Sequence, residues 1–144
     1  MKKYLLYVFI LCFSLSYAQN KINENLKREL DSIMKSDQIL REYINFDTSE
    51  DRKKEIVKDL SRENDPNFRK GIWLEMKKRD SLNLIKVEEL IKLYGYPGKS
   101  LVGEPTNIAA WYVIQHSSKI GEYLSMIEKE AKKKEIPFTY FAKM

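Results

Sequence analysis

The 144-residue sequence contains one cysteine, one histidine, five glycines and four prolines. Each scarcity excludes something. A single Cys closes no intramolecular disulfide, and one Cys with one His cannot supply a Cys/His zinc set. The five glycines form no Gly-rich phosphate loop, and no Ser sits in a G-x-S-x-G elbow. There is no Pro/Gly/Ser-rich linker and no repeat at a helix-pair period, so the length suits one domain. What remains is globular composition: 43% hydrophobic, 33% charged and 12% aromatic residues. That excludes collagen-like, low-complexity and disordered classes.

The first twenty residues stand apart. Lys2 and Lys3 precede an apolar run from Tyr4 to Leu15, and Ser16-Tyr17-Ala18 places small residues at the −3 and −1 positions. This pattern predicts a signal peptide over residues 1–18, cleaved after Ala18. A membrane span would need about 20 apolar residues, and Gln19-Asn20-Lys21 arrives too early. Cys12 follows Leu11 and is itself followed by more apolar residues, which does not suit lipid attachment; it leaves with the leader. The processed chain is then free of cysteine, with no thiol nucleophile. The expected location is the periplasm, or outside the cell, of a Gram-negative bacterium. Loss of Lys2 and Lys3 lowers the formal net charge from +5 by two. So small a balance of interspersed signs argues against nucleic acid as a partner.

The rest of the chain predicts an all-α domain of five or six packed helices over residues 19–144. Leu26, Leu30, Ile33, Leu40 and Ile44 recur at helical spacing over residues 21–46. Asp37 fills the gap in that stripe, with Gln38 beside it and Arg41 one turn on. Thr48-Ser49-Glu50-Asp51 reads as an N-cap with an acidic first turn, opening a short surface helix to about residue 62. Phe68, Ile72, Trp73, Leu74 and Met76 predict a helix over 68–79. Asp80 and Asn83 suit the start of another, striped by Leu84, Val87, Leu90, Ile91 and Tyr94 and closed by Gly95. Ile108 to Ile114 is apolar on every side, as in a central buried helix, with Gln115 and His116 at its end. Ile120, Tyr123, Leu124, Ile127 and Ala131 stripe one more. Pro137 opens a last short segment, and a chain stopping so soon after Phe141 is expected to be C-terminally truncated.

The polar residues have two readings each. His116 is a general acid/base, or a core histidine bonded at a helix end. Asp37 with Arg41 is a buried ion pair, or a pocket where Arg41 holds an anionic group and Asp37 works with His116. Asp80 and Asn83 bind a ligand or cap a helix. Trp73, Trp111 and the tyrosines belong in the core. No metal set and no cofactor is implied. Basic runs at 52–54, 77–79 and 132–134 suit solvated helix faces better than a membrane surface.

The ordered pieces Asp37-Gln38-x-x-Arg41, Asp80-x-x-Asn83, Gly95-Tyr96-Pro97, Val102-Gly103 and Ala110-Trp111-x-x-x-Gln115-His116 resemble the bacterial domain-of-unknown-function family numbered 6624 over roughly residues 26–144. That family usually has Trp where this chain has Tyr96, and a small apolar residue where it has Ser117. It usually continues with an Asp-Arg pair and a Tyr-Gly-containing tail. The resemblance implies no activity. The functional expectation is an exported binding or interaction module taking a small anionic ligand or a protein partner, its polar cluster structural. The alternative is a periplasmic hydrolase or transferase. In it, His116 and Asp37 would be catalytic, and Arg41, Gln38, Asp80, Asn83 and Gln115 would bind substrate.

Overall fold

A computed structural model describes residues 21–144, so the expected signal peptide and Cys12 lie outside the described residues. Seven α-helices and one 3-10 turn, with no strand, make up the described chain. They are α1 (Glu24–Ile44), α2 (Glu50–Asp59), α3 (Phe68–Tyr94), α4 (Lys99–Val102), α5 (Ala109–Gln115), α6 (Ile120–Lys132) and α7 (Phe138–Phe141). The turn Thr106–Ile108 leads into α5. The all-α expectation holds, with α4 and α7 as single turns.

Local chemistry explains most boundaries. Asn23 accepts the Leu26 amide at 3.1 Å and starts α1. Ser49 accepts the Arg52 amide at 3.2 Å and starts α2, as its position suggests. Gly95 ends α3 at φ +74°, a conformation that costs glycine nothing. One boundary differs from expectation. Residues 68–79 and 80–94 are a single helix of 27 residues, not two. No Gly or Pro interrupts Lys77-Lys78-Arg79-Asp80, and a capping residue type ends nothing without a break in the backbone. Asp80 and Asn83 are therefore mid-helix and cap no helix start.

The helices enclose two apolar clusters. The larger joins Leu26, Leu30 and Ile33 of α1 to Val87, Leu90 and Ile91 of α3, with Trp111, Val113 and Ile114 of α5 and Ile127 of α6. The smaller joins Ile39 and Leu40 of α1 to Ile56 of α2 and to Phe68, Ile72 and Met76 of α3. The start of α1 thus meets the end of α3, and the reverse, so the two long helices are antiparallel. Each fully buried aliphatic contributes about 1.5–3 kcal/mol. Trp111 is buried as expected, but Trp73 is 65% exposed and Tyr94 is 50% exposed. Trp73 points away from the face that carries Ile72 and Met76, and Tyr94 is the last residue of α3.

The segment between α3 and α5 is pinned from several sides. The Tyr96 hydroxyl donates to the Asn107 carbonyl at 3.0 Å, and burial pushes its phenol pKa far up, so it remains a donor. The Asn107 amide donates to the Glu135 carbonyl at 2.8 Å. The Trp111 indole N–H donates to the Tyr140 carbonyl at 2.9 Å, which fastens the otherwise lightly buried α7 to the core.

Candidate functional site

Asp37 lies on the inner face of α1, where its side chain is 0% exposed. An ionised carboxylate there must be compensated. Three side chains do this. His116, at the end of α5, places Nδ1 3.0 Å from Asp37 Oδ2 and 3.2 Å from Oδ1. The Gln38 amide donates to Oδ2 at 2.5 Å. Arg41 comes back along the same helix, with Nη1 donating to the Asp37 carbonyl at 2.5 Å and lying 3.6 Å from Oδ1. Its Nη2 then crosses to α3 and donates to Asp80 Oδ2 at 2.8 Å. Residues 79 positions apart in sequence, Asp37 and His116, are thereby in direct contact.

The cluster forms a polar layer between the two apolar clusters. Along α1 Asp37 and Gln38 fall between Ile33 and Ile39, and along α3 Asp80 falls between Met76 and Val87. Asn83, 3% exposed, lies one turn after Asp80 on α3. Two polar atoms here lack a hydrogen-bond partner: Asp80 Oδ1 and Asn83 Nδ2, both buried. One accepts and the other donates, three residues apart and so on the same side of the helix.

Of the seven residues expected to form a site, the structure brings Asp37, Gln38, Arg41, Asp80 and His116 into one network. Asn83 stands one turn from it, without a bond to it. Gln115 is half-buried and makes no side-chain bond to the cluster. Both Arg41 amino groups meet protein oxygens, while its Nε has no hydrogen-bond partner among the described residues. Its side chain keeps 21% exposure, and three of the five guanidinium N–H groups remain unused. Because a carboxylate only accepts, His116 Nδ1 is the donor toward Asp37, and Nε2 has no partner among the described residues. The His116 side chain is 23% exposed, so it is neither sealed nor far from Asp37.

A groove of about 300 Å³ runs beside the cluster, flanked by Met34 and Gln38 of α1 and by Ile108 and Tyr112 on the α5 side. The two walls run in the same direction. Thr106 donates to Asp31 at 2.6 Å at one end, and His116 meets Asp37 at the other. The Tyr112 ring lies 6.5 Å from the His116 ring, so the groove stops one helical turn short of the imidazole. Sequence reasoning left Tyr112 in the core; its place four residues before His116 was the available signal. Among the described residues, no group of three His, Cys, Asp or Glu side chains gathers as metal ligands would. No described helix is long and apolar enough to cross a membrane.

No family model, no curated protein and no solved structure matches the chain.

Proposed function

We propose that the chain is an exported helical binding domain whose ligand site is the polar layer, with the groove beside it. The observation that carries this reading is the pair of unpartnered buried atoms, Asp80 Oδ1 and Asn83 Nδ2, beside an otherwise satisfied network. Left unpaired, each would cost about 1–3 kcal/mol. The ligand chemistry that fits is small and carries a donor next to an acceptor, as a hydroxyl or carboxamide does. A small anion fits at the unused N–H groups of Arg41. The leader pattern of residues 1–18 supports export, and the ordered motif set supports kinship with the family numbered 6624. The test is NMR on the processed chain, following its one histidine ring and the Asn83 side-chain amide. The probes are small polyols, carboxamides, carboxylates and inorganic phosphate. Saturable shifts at both signals with one class are expected. A flat response to all four, with an ordered water bridging the two atoms in a crystal, overturns the reading.

A second reading is favoured by one specific contact, Asp37 with His116 Nδ1. That bond fixes the ring and leaves Nε2 to move a proton, the arrangement of a general acid–base pair in a hydrolase or transferase. Activity on simple ester or phosphoester substrates that falls about 100-fold or more in His116→Gln would support it. Activity unchanged by that substitution would dismiss it.

A further inference from the structure

The outer face of α3 leaves four large aliphatic side chains uncovered. Leu74 is 77% exposed, Leu82 50%, Ile85 53% and Leu93 72%. With Lys78 and Glu89 they form one stripe: the steps from 74 through 78, 82, 85, 89 and 93 are four, four, three, four and four. That is an eleven-residue repeat, which follows the helix with little supercoil. The stripe extends about 28 Å at 1.5 Å per residue. The buried face of α3, with Ile72, Met76, Val87 and Leu90, is on the opposite side. An apolar stripe of this length on one helix marks a docking surface.

The stripe is complementary to itself when one copy is reversed. Around a two-fold axis between Asn83 and Leu84, Leu74 faces Leu93 of the second copy, Leu82 faces Ile85, and Lys78 faces Glu89. Every aliphatic meets an aliphatic, and both charges meet their opposites. Among the described residues neither Lys78 nor Glu89 has an ion-pair partner within its own chain, and Lys86 and Lys92 flank Glu89 three residues to either side. A parallel pairing would instead set Lys78 against Lys78 and Glu89 against Glu89. We infer that α3 is the interface of an antiparallel homodimer, closed by two symmetry-related Lys78–Glu89 pairs. Such an interface is isologous, so it ends at two copies and does not propagate. One helix pair is smaller than a standard interface, so a weak association is expected.

The experiment is sedimentation equilibrium on the processed protein obtained by expressing the full chain, with charge-swap variants. Lys78→Glu and Glu89→Lys each turn two attractive pairs into two repulsive ones, and each should weaken dimerisation about tenfold. The double variant K78E/E89K restores both pairs with reversed sign and should return to within about threefold of the parent. Both substituted positions are exposed, and circular dichroism verifies that each variant is folded. A parent that stays monomeric to about 1 mM overturns the inference. So does a dimer indifferent to the single swaps, or one that the double swap weakens further. A monomer that sediments with anionic vesicles would assign the stripe to a membrane surface instead.

Discussion

Asp37 holds the interior together at the point where the interior is least apolar. Its carboxylate is sealed from water and answers to His116, Gln38 and Arg41 at once. Asp37→Asn keeps the shape and removes the charge. His116 loses a charged acceptor, and Arg41 keeps Asp80 as its one carboxylate partner beside its bond to the residue 37 carbonyl. Breaking a sealed ion pair costs about 3–5 kcal/mol. Arg41 and His116 each retain about a fifth of their exposure and can recover some hydration. The expected loss is therefore about 2–3 kcal/mol by urea denaturation. A loss under about 0.5 kcal/mol would mean that the carboxylate is not the anchor. Asp37 was legible in the sequence because it interrupts an apolar stripe, and burial on that face forces it to find partners. Asp80 and Asn83 were legible only as polar residues of capping type. Capping residues at a helix start and polar residues facing a buried layer have the same composition, and only the far helix tells them apart.

At the level of the elements, α1 and α2 carried their own signals, a single stripe and an explicit cap. The helix α3 did not, because apolar side chains occur on several of its faces: Ile72 and Val87 inward, Leu74 and Ile85 outward. Two stripes on one helix blur the period, and a charged run at 77–80 looks like a junction. Loops show the same dependence on distant partners. Gly98 has ordinary extended backbone, yet a Cβ there would lie 2.6 Å from Glu135 Cβ. The Lys99 amide donates to the Glu135 carbonyl at 2.9 Å and the Ser100 amide to its carboxylate at 2.8 Å, so Glu135 cannot withdraw without losing both. Gly98→Ala should cost about 1–3 kcal/mol, measured by thermal or urea unfolding. A neutral result would show that the loop shifts freely. The α3–α6 contact has a pH signature. The Lys119 ammonium bonded to Glu88, helped by the Tyr123 hydroxyl, holds the Glu88 carboxyl below its ordinary value of 4.5. A depressed carboxyl adds stability above the unfolded-state value and loses it as pH falls through the folded one. Glu88→Gln should therefore be less stable than the parent at pH 7, with the gap closing below about pH 4.5. A gap that persists at pH 3 would assign the effect to packing.

Across the whole molecule, two apolar clusters share the long helices α1 and α3 but are separated by a layer of charge. The larger has contributions from α5 and α6 as well as both long helices, whereas the smaller is closed only by α2 and the start of α3. Apolar contact is what makes folding cooperative along a helix, and it is interrupted at Asp37 and Asp80. The two clusters should therefore open at different free energies, the smaller one first. Ile56 separates the possibilities because it is fully buried and belongs to the smaller cluster alone. Its truncation removes about 2–5 kcal/mol of packing. If the polar layer divides the molecule, Ile56→Ala will speed amide hydrogen exchange in α2 and in the first turns of α3, with α5 and the end of α3 almost unchanged. Leu30→Ala, in the larger cluster, should lower protection everywhere, because the smaller cluster cannot stand without the helices that the larger one holds. Uniform loss of protection from both variants would mean that the Asp37–Arg41–Asp80 bridge couples the clusters, so that the layer transmits stability between them. Ligand binding at the layer would then stabilise both clusters together under the coupled outcome. Under the divided outcome it would first slow the opening of the smaller one.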